Sequence, residues 1–165
     1  MNKSIIAIFI GTFFLIGGLI WFGQPTGNTE TEAAAGVPNT VLITEESSFD
    51  FGSISMANGK VTHKFKVKNT GAEDVNLKKL YTSCMCTEAN LLLGDKKYGP
   101  FGMPGHVSVS LNKVNIAPNQ EAEVEVIFDP AAHGPAGVGL IERVVTLENS
   151  AGSPVEFSFS AKVTP

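Results

Sequence analysis

The chain has 165 residues, 43% hydrophobic and 17% charged, with a formal net charge of −4. That length supports one substantial core, and an acidic balance with no cluster of uncompensated Lys or Arg excludes a nucleic-acid surface. Seventeen glycines and nine prolines can punctuate many short strands, and no period of roughly 20–50 residues marks a solenoid.

Met1–Ser4 carries Lys3, and Ile5–Phe22 (IIAIFIGTFFLIGGLIWF) then runs without a charge. As a helix this run spans roughly 27 Å, close to the hydrocarbon thickness of a bilayer. Trp21 stands where an interfacial aromatic belongs, and Lys3 before the run with Glu30 and Glu32 after it orient the remainder away from the cytoplasm. The pattern predicts one transmembrane helix, with residues 1–23 a membrane anchor or signal-anchor and the C-terminal part extracytoplasmic at the cell membrane. The competing reading is a signal peptide cleaved after Ala33-Ala34-Ala35, which would release a secreted domain. That site lies 13 residues beyond Phe22, farther from the apolar run than processing sites normally fall. Residues 24–40, rich in Thr, Glu, Ala, Gly and Pro without apolar periodicity, read as a flexible linker.

From Val41 the apolar period becomes two. Val41–Thr44 and Phe49–Ile54 read as an interrupted first strand, and Asn58-Gly59 marks a turn. In Val61–Asn69, Val61, Phe65 and Val67 alternate with Thr62, Lys64, Lys66 and Lys68. Val75–Thr82 loses its alternation at Lys78-Lys79, which predicts a bulge or an edge. Glu88–Asn115 is the least regular segment. Beyond it Ala122, Val124, Val126 and Phe128 alternate with Glu121, Glu123 and Glu125, and Leu140–Asn149 and Val155–Val163 complete the set. About seven short strands with regular turn signals predict an all-β antiparallel sandwich over residues 41–165. The Lys64/Lys66/Lys68 stripe and the Glu121/Glu123/Glu125 stripe pair if their strands are neighbours, a solvated face and not a ligand site.

Several blocks in this order resemble one bacterial family. They are Phe49-Asp50-Phe51-Gly52-Ser53-Ile54, Val61-Thr62-His63-Lys64-Phe65 leading to Asn69-Thr70-Gly71, Ser83-Cys84-Met85-Cys86-Thr87, Ile116-Ala117-Pro118 with Glu121, and Phe128-Asp129-Pro130. The sequence is similar to the family catalogued as domain of unknown function 1573. That resemblance implies an immunoglobulin-like, exported domain and lends no activity. Met85 stands where the family commonly has Gly, and Glu88–Asn115 lengthens a connection that is usually short.

Cys84 and Cys86 are the only cysteines. Outside the cytoplasm they would oxidise, and a bond between positions i and i+2 requires the chain to turn there. The loop so closed is tiny, so closure entropy adds little and the bond would act as a redox handle more than a staple. Reduced, the pair could instead hold a soft ion such as Cu(I), with Met103 and His106 (GPFGMPGH) or His133 (DPAAHGPAGVG) completing the shell. An idle structural pair is the third reading. His63 alternates with core-facing residues and reads as a hydrogen-bonded strand histidine.

There is no G-x-S-x-G, no phosphate loop and no H-E-x-x-H, so no enzyme is expected. The function read from this sequence is a membrane-tethered extracytoplasmic binding or adaptor module, which meets an envelope protein through loops or an open strand edge. It requires no cofactor. The alternative is a copper-binding or thiol-redox protein using Cys84 and Cys86.

Overall fold

The computed structural model describes residues 41–165. The expected anchor (1–23) and linker (24–40) lie outside the described residues. Ten strands form: β1 Leu42–Ile43, β2 Ser48–Ser55, β3 Val61–Asn69, β4 Val75–Thr82, β5 Thr87–Leu93, β6 Lys96–Phe101, β7 Ser110–Ile116, β8 Glu121–Phe128, β9 Gly139–Asn149 and β10 Val155–Thr164. Among the described residues two short 3-10 turns, Met56–Asn58 and Gly134–Gly137, are the helical content, and no described helix is long and apolar enough to cross a membrane.

The strands make two five-stranded sheets, ordered β1-β3-β8-β5-β6 and β2-β10-β9-β4-β7. All pairs are antiparallel except β2 with β10. The described residues are therefore all-β, as the alternation predicts, with ten strands in place of about seven. Two corrections account for the difference. The interrupted first strand is two strands in different sheets, β1 against β3 and β2 against β10. The segment expected to be irregular, Glu88–Asn115, holds nearly all of β5, β6 and β7. Its regularity was hidden because β5 lies between β8 and β6, where Ala89, Asn90 and Leu91 are buried consecutively and no period of two survives. Gly94-Asp95 closes the β5–β6 hairpin, with Gly94 at φ 57°, a conformation glycine adopts without steric cost.

One core joins the sheets. Phe65, Val67, Val124, Val126 and Leu91 from the first meet Leu77, Leu80, Leu147, Phe157, Phe159 and Ala161 from the second. Phe65 stacks on Phe157 with ring centroids 5.0 Å apart, and each such ring contributes about 1.5–3 kcal/mol by leaving water. The charged stripes do face each other: Lys64, Lys66 and Lys68 stand opposite Glu125, Glu123 and Glu121. Lys64 bridges Glu123 at 3.0 Å and Lys68 bridges Glu121 at 3.4 Å, on solvent-exposed side chains. The expected bulge in β4 is present, as a register shift between Leu77 and Lys79. His63 is a strand histidine, 2.8 Å from Glu46 Oε2 and stacked on Phe49.

The antiparallel order brings the end of β4, the start of β5, the end of β8 and the start of β9 to one end of the sandwich. Thr82 stands opposite Val145, and Thr87 opposite Phe128. The cysteines lie at this end. The opposite end is closed by two buried asparagines, Asn69 and Asn149.

Candidate functional site

The turn from β4 into β5 is built to present sulfur. The buried Thr82 hydroxyl lies 2.9 Å from the carbonyl of Cys84 and 3.0 Å from that of Thr87, so one donor spans both sides of the turn. Ser83 N–H donates to Val144 O, and Val144 N–H returns to the Ser83 hydroxyl, which ties the turn to β9. Asp129 N–H donates to Cys86 O, which ties it to the loop after β8. Held this way, Cys84 and Cys86 have Cα atoms 5.3 Å apart, inside the range a disulfide requires, and their sulfurs are joined.

The two sulfurs differ in environment. Cys86 is buried, at 3% exposure, and belongs to the core, whereas Cys84 is half-buried and Met85 between them is 58% exposed. Nε2 of His133 lies 3.2 Å from Cys84 Sγ, and Cys86 N–H points at the same sulfur from 3.3 Å. Cys86 Sγ accepts from Arg143 Nε at 3.4 Å, and the Thr87 hydroxyl is 3.7 Å away. Each sulfur thus has its own nitrogen partner from a side chain distant in sequence.

Of the candidate soft ligands, the fold brings together Cys84, Cys86 and His133, whose ligand atoms all lie within 4.8 Å of one another. His106 is outside that group. Met103 is half-buried and His106 exposed on the connection between β6 and β7, which reaches the turn through Thr82 N–H donating to Gly102 O at 3.2 Å. Bonded to each other, the sulfurs offer no thiolate. Only the reduced pair with His133 would present a soft donor set.

The residue that sequence reasoning missed is Arg143, the one arginine of the chain. A signal was there. In β9, Ile141, Arg143, Val145 and Leu147 share one side of the alternation, and Val145 and Leu147 are fully buried. A guanidinium on the core-facing side of a strand needs a polar partner, and here it finds sulfur and the carbonyl of Glu142, at 2.7 Å from Nη1.

The same end carries exposed apolar side chains. Met85, Val107, Val138 and Leu140 are exposed there, Leu140 at 86%, while Ile43, the fifth large exposed apolar side chain among the described residues, lies at the other end beside Lys68. Val107 packs over Gly102, where an added Cβ would sit 2.7 Å from Cγ2 of the valine. Shallow surface depressions lie elsewhere. One is lined by Val41, Gly71, Glu73, Asp74 and Ser150 at the asparagine end, and another by Lys66, Leu92, Glu121 and Glu123 on the charged face.

Among solved structures, a protein of unknown function from Porphyromonas gingivalis W83 superposes with a TM-score of 0.55 at 13% identity. The overlap covers 74% of this chain and 46% of that one, so the chain spans less than half of that protein's length. The seventh PapD-like domain of human CEP192 overlaps at TM-score 0.45 and 14% identity, over 77% of this chain and 87% of that one. The CupB2 chaperone of Pseudomonas aeruginosa overlaps at 0.38 and 17%, over 73% and 55%. The first of these likenesses is one of fold alone, and the other two are looser. No curated protein matches the sequence. The resemblance carried by the strand and cysteine blocks is upheld: residues 42–111, from β1 into β7, match the family described as protein of unknown function, DUF1573.

Proposed function

We propose that the chain is an immunoglobulin-like binding module, tethered to the extracytoplasmic face of a membrane by residues 5–22, that engages a protein partner through the sandwich end bearing Cys84-Met85-Cys86. The observation that carries this reading is the distribution of exposed apolar side chains. Among the described residues, four of the five large ones, Met85, Val107, Val138 and Leu140, lie at that end. Such a cluster on an otherwise charged surface is a recognition feature.

Strand addition is the poorer route for a partner, because each sheet edge is blunted. β1 has two residues; β6 carries Lys96, Lys97 and Pro100. β7 is bulged around Lys113, at φ 66°, and β2 is interrupted opposite Ser160–Lys162 with Gly52 at φ 68°. The tether is motivated by the uncharged run and its flanking charges.

The test is site-specific photocrosslinking in intact cells of the source organism, with the reactive side chain at Leu140, at Val138 or at Ile43. Discrete adducts are expected from Leu140 and Val138 and none from Ile43. The same bands from all three positions, or none from the first two, would refute the docking end. Reading the mature N-terminus checks the tether, and a start near Gly36 would overturn it.

A further inference from the structure

We propose that the Cys84–Cys86 disulfide oxidises a dithiol carried by the protein partner, with Cys84 the sulfur attacked and Cys86 the sulfur that leaves. This deepens the docking reading above, since the partner seated on the apolar end supplies the dithiol. Access sets the order of the sulfurs: Cys84 is half-buried beside the exposed Met85, and Cys86 is 3% exposed. An incoming sulfur reaches Cys84 first.

Charge agrees with access. As the sulfur–sulfur bond breaks, negative charge grows on Cys86 Sγ, where Arg143 Nε already donates at 3.4 Å. Among the described residues this guanidinium makes no salt bridge to a carboxylate, and its other bond runs from Nη1 to the neutral carbonyl of Glu142. A bonded sulfur is a weak acceptor and a thiolate a strong one, so the donors around this pair suit the reduced state better than the oxidised one. A donor fixed in advance where charge will develop lowers the barrier. The closed loop spans a sequence separation of only 2, so closure entropy does little to hold the oxidised form.

The step balances as follows. The partner's first thiol gives its proton to His133 Nε2, 3.2 Å from Cys84 Sγ, and its sulfur bonds to Cys84 Sγ. The Cys84–Cys86 bond breaks with its electron pair on Cys86. The partner's second thiol then loses its proton to the Cys86 thiolate, and its sulfur attacks the first partner sulfur. The mixed bond breaks toward Cys84, which takes the proton held by His133. Two electrons and two protons have moved, the partner dithiol is a disulfide, and Cys84 and Cys86 are thiols.

The full oxidised chain, mixed with reduced dithiothreitol as the probe and quenched by alkylation, yields the exchange rate from mass spectra. Arg143→Gln is expected to slow it about tenfold, Arg143→Lys to restore most of the loss, and Lys79→Gln to leave it unchanged. Arg143→Gln within twofold of the parent would overturn the proposal, as would no recovery in Arg143→Lys when both variants keep the parent's circular dichroism. Single-thiol chains then map the attack. Cys84 in Cys86→Ser is expected to form a mixed disulfide with glutathione disulfide at least about tenfold faster than Cys86 in Cys84→Ser; the reverse order overturns the assignment. Dithiothreitol needs no docking surface. Normal exchange with absent crosslinks would therefore fault the docking reading, and normal crosslinks with slow, Arg143-independent exchange would fault this one.

Discussion

Asn69→Ala tests what holds the far end of the sandwich shut. The side chain is fully buried at the end of β3. Its Nδ2 donates to Ile116 O and to Glu73 O, both at 2.8 Å, and its Oδ1 accepts from Gly71 N–H at 2.9 Å. One amide thus satisfies three backbone groups, two from the β3–β4 connection and one from the end of β7. Alanine leaves all three unpaired. Ile116 O is buried and would bear the full desolvation cost, about 1–3 kcal/mol, while the two partly buried groups recover some of theirs from water. The expected loss is about 2–4 kcal/mol, a large part of a domain's usual stability. Asn149 offers the control. It is also buried, but its amide meets only Ser153 O and Ala151 N–H, both partly buried, so Asn149→Ala should cost about 1–2 kcal/mol. Urea unfolding of the full chain followed by far-ultraviolet circular dichroism reads both. With a slope of about 1–3 kcal/mol per molar, the Asn69→Ala midpoint should fall by about 1–2 M and the Asn149→Ala midpoint by less. Equal losses, or a larger one at Asn149, would refute the counting of unpaired groups as the source of the cost.

Gly99→Ala should destabilise by about 1–3 kcal/mol, because Gly99 sits at φ 129° and a Cβ there would meet Asn90 Oδ1 at 2.6 Å; a melting temperature equal to the parent's would contradict it. The pair Lys68–Glu121, about half exposed on both sides, should show a coupling of no more than about 0.5 kcal/mol in a double-mutant cycle, shrinking with salt. Glu125 is held below the ordinary glutamate range, first by the Lys97 ammonium at 2.7 Å and then by the Asn90 amide, against the opposing effect of burial. Its folded-state pKa is depressed, so it adds stability above the ordinary glutamate range that is lost as pH falls through the lower folded value. Stability measured against pH should therefore fall less steeply on the acid side in Glu125→Gln than in the parent.

The fold class was legible because the sheets have two unlike faces. Val61, Phe65 and Val67 against Lys64, Lys66 and Lys68 announce a half-buried strand, and the glutamate stripe announces its neighbour, since opposite charges at period two can meet only across a ladder. Where burial is two-sided the signal disappears, which is why β5 read as irregular and β6 and β7 were lost with it. The first strand divided into β1 and β2 because sheet assignment is made by partners more than 100 residues away in one case, Ser158 to Val163 of β10, and no local pattern encodes that. The cysteine pair, by contrast, is a local fact. Adjacency in sequence alone limited it to a bond, a soft ion or idle packing. Which nitrogen atoms surround it is not local. Of the three candidate ligands outside the pair, spacing could not prefer His133 over Met103 or His106, because all three lie in Gly/Pro-rich connections whose ends are placed by strand order. Only the antiparallel order, carrying β8 back to the start of β9, put His133 on Cys84 and Arg143 on Cys86. Side-chain period is set by the backbone and can be read residue by residue; the meeting of residues 57 apart is set by topology and cannot.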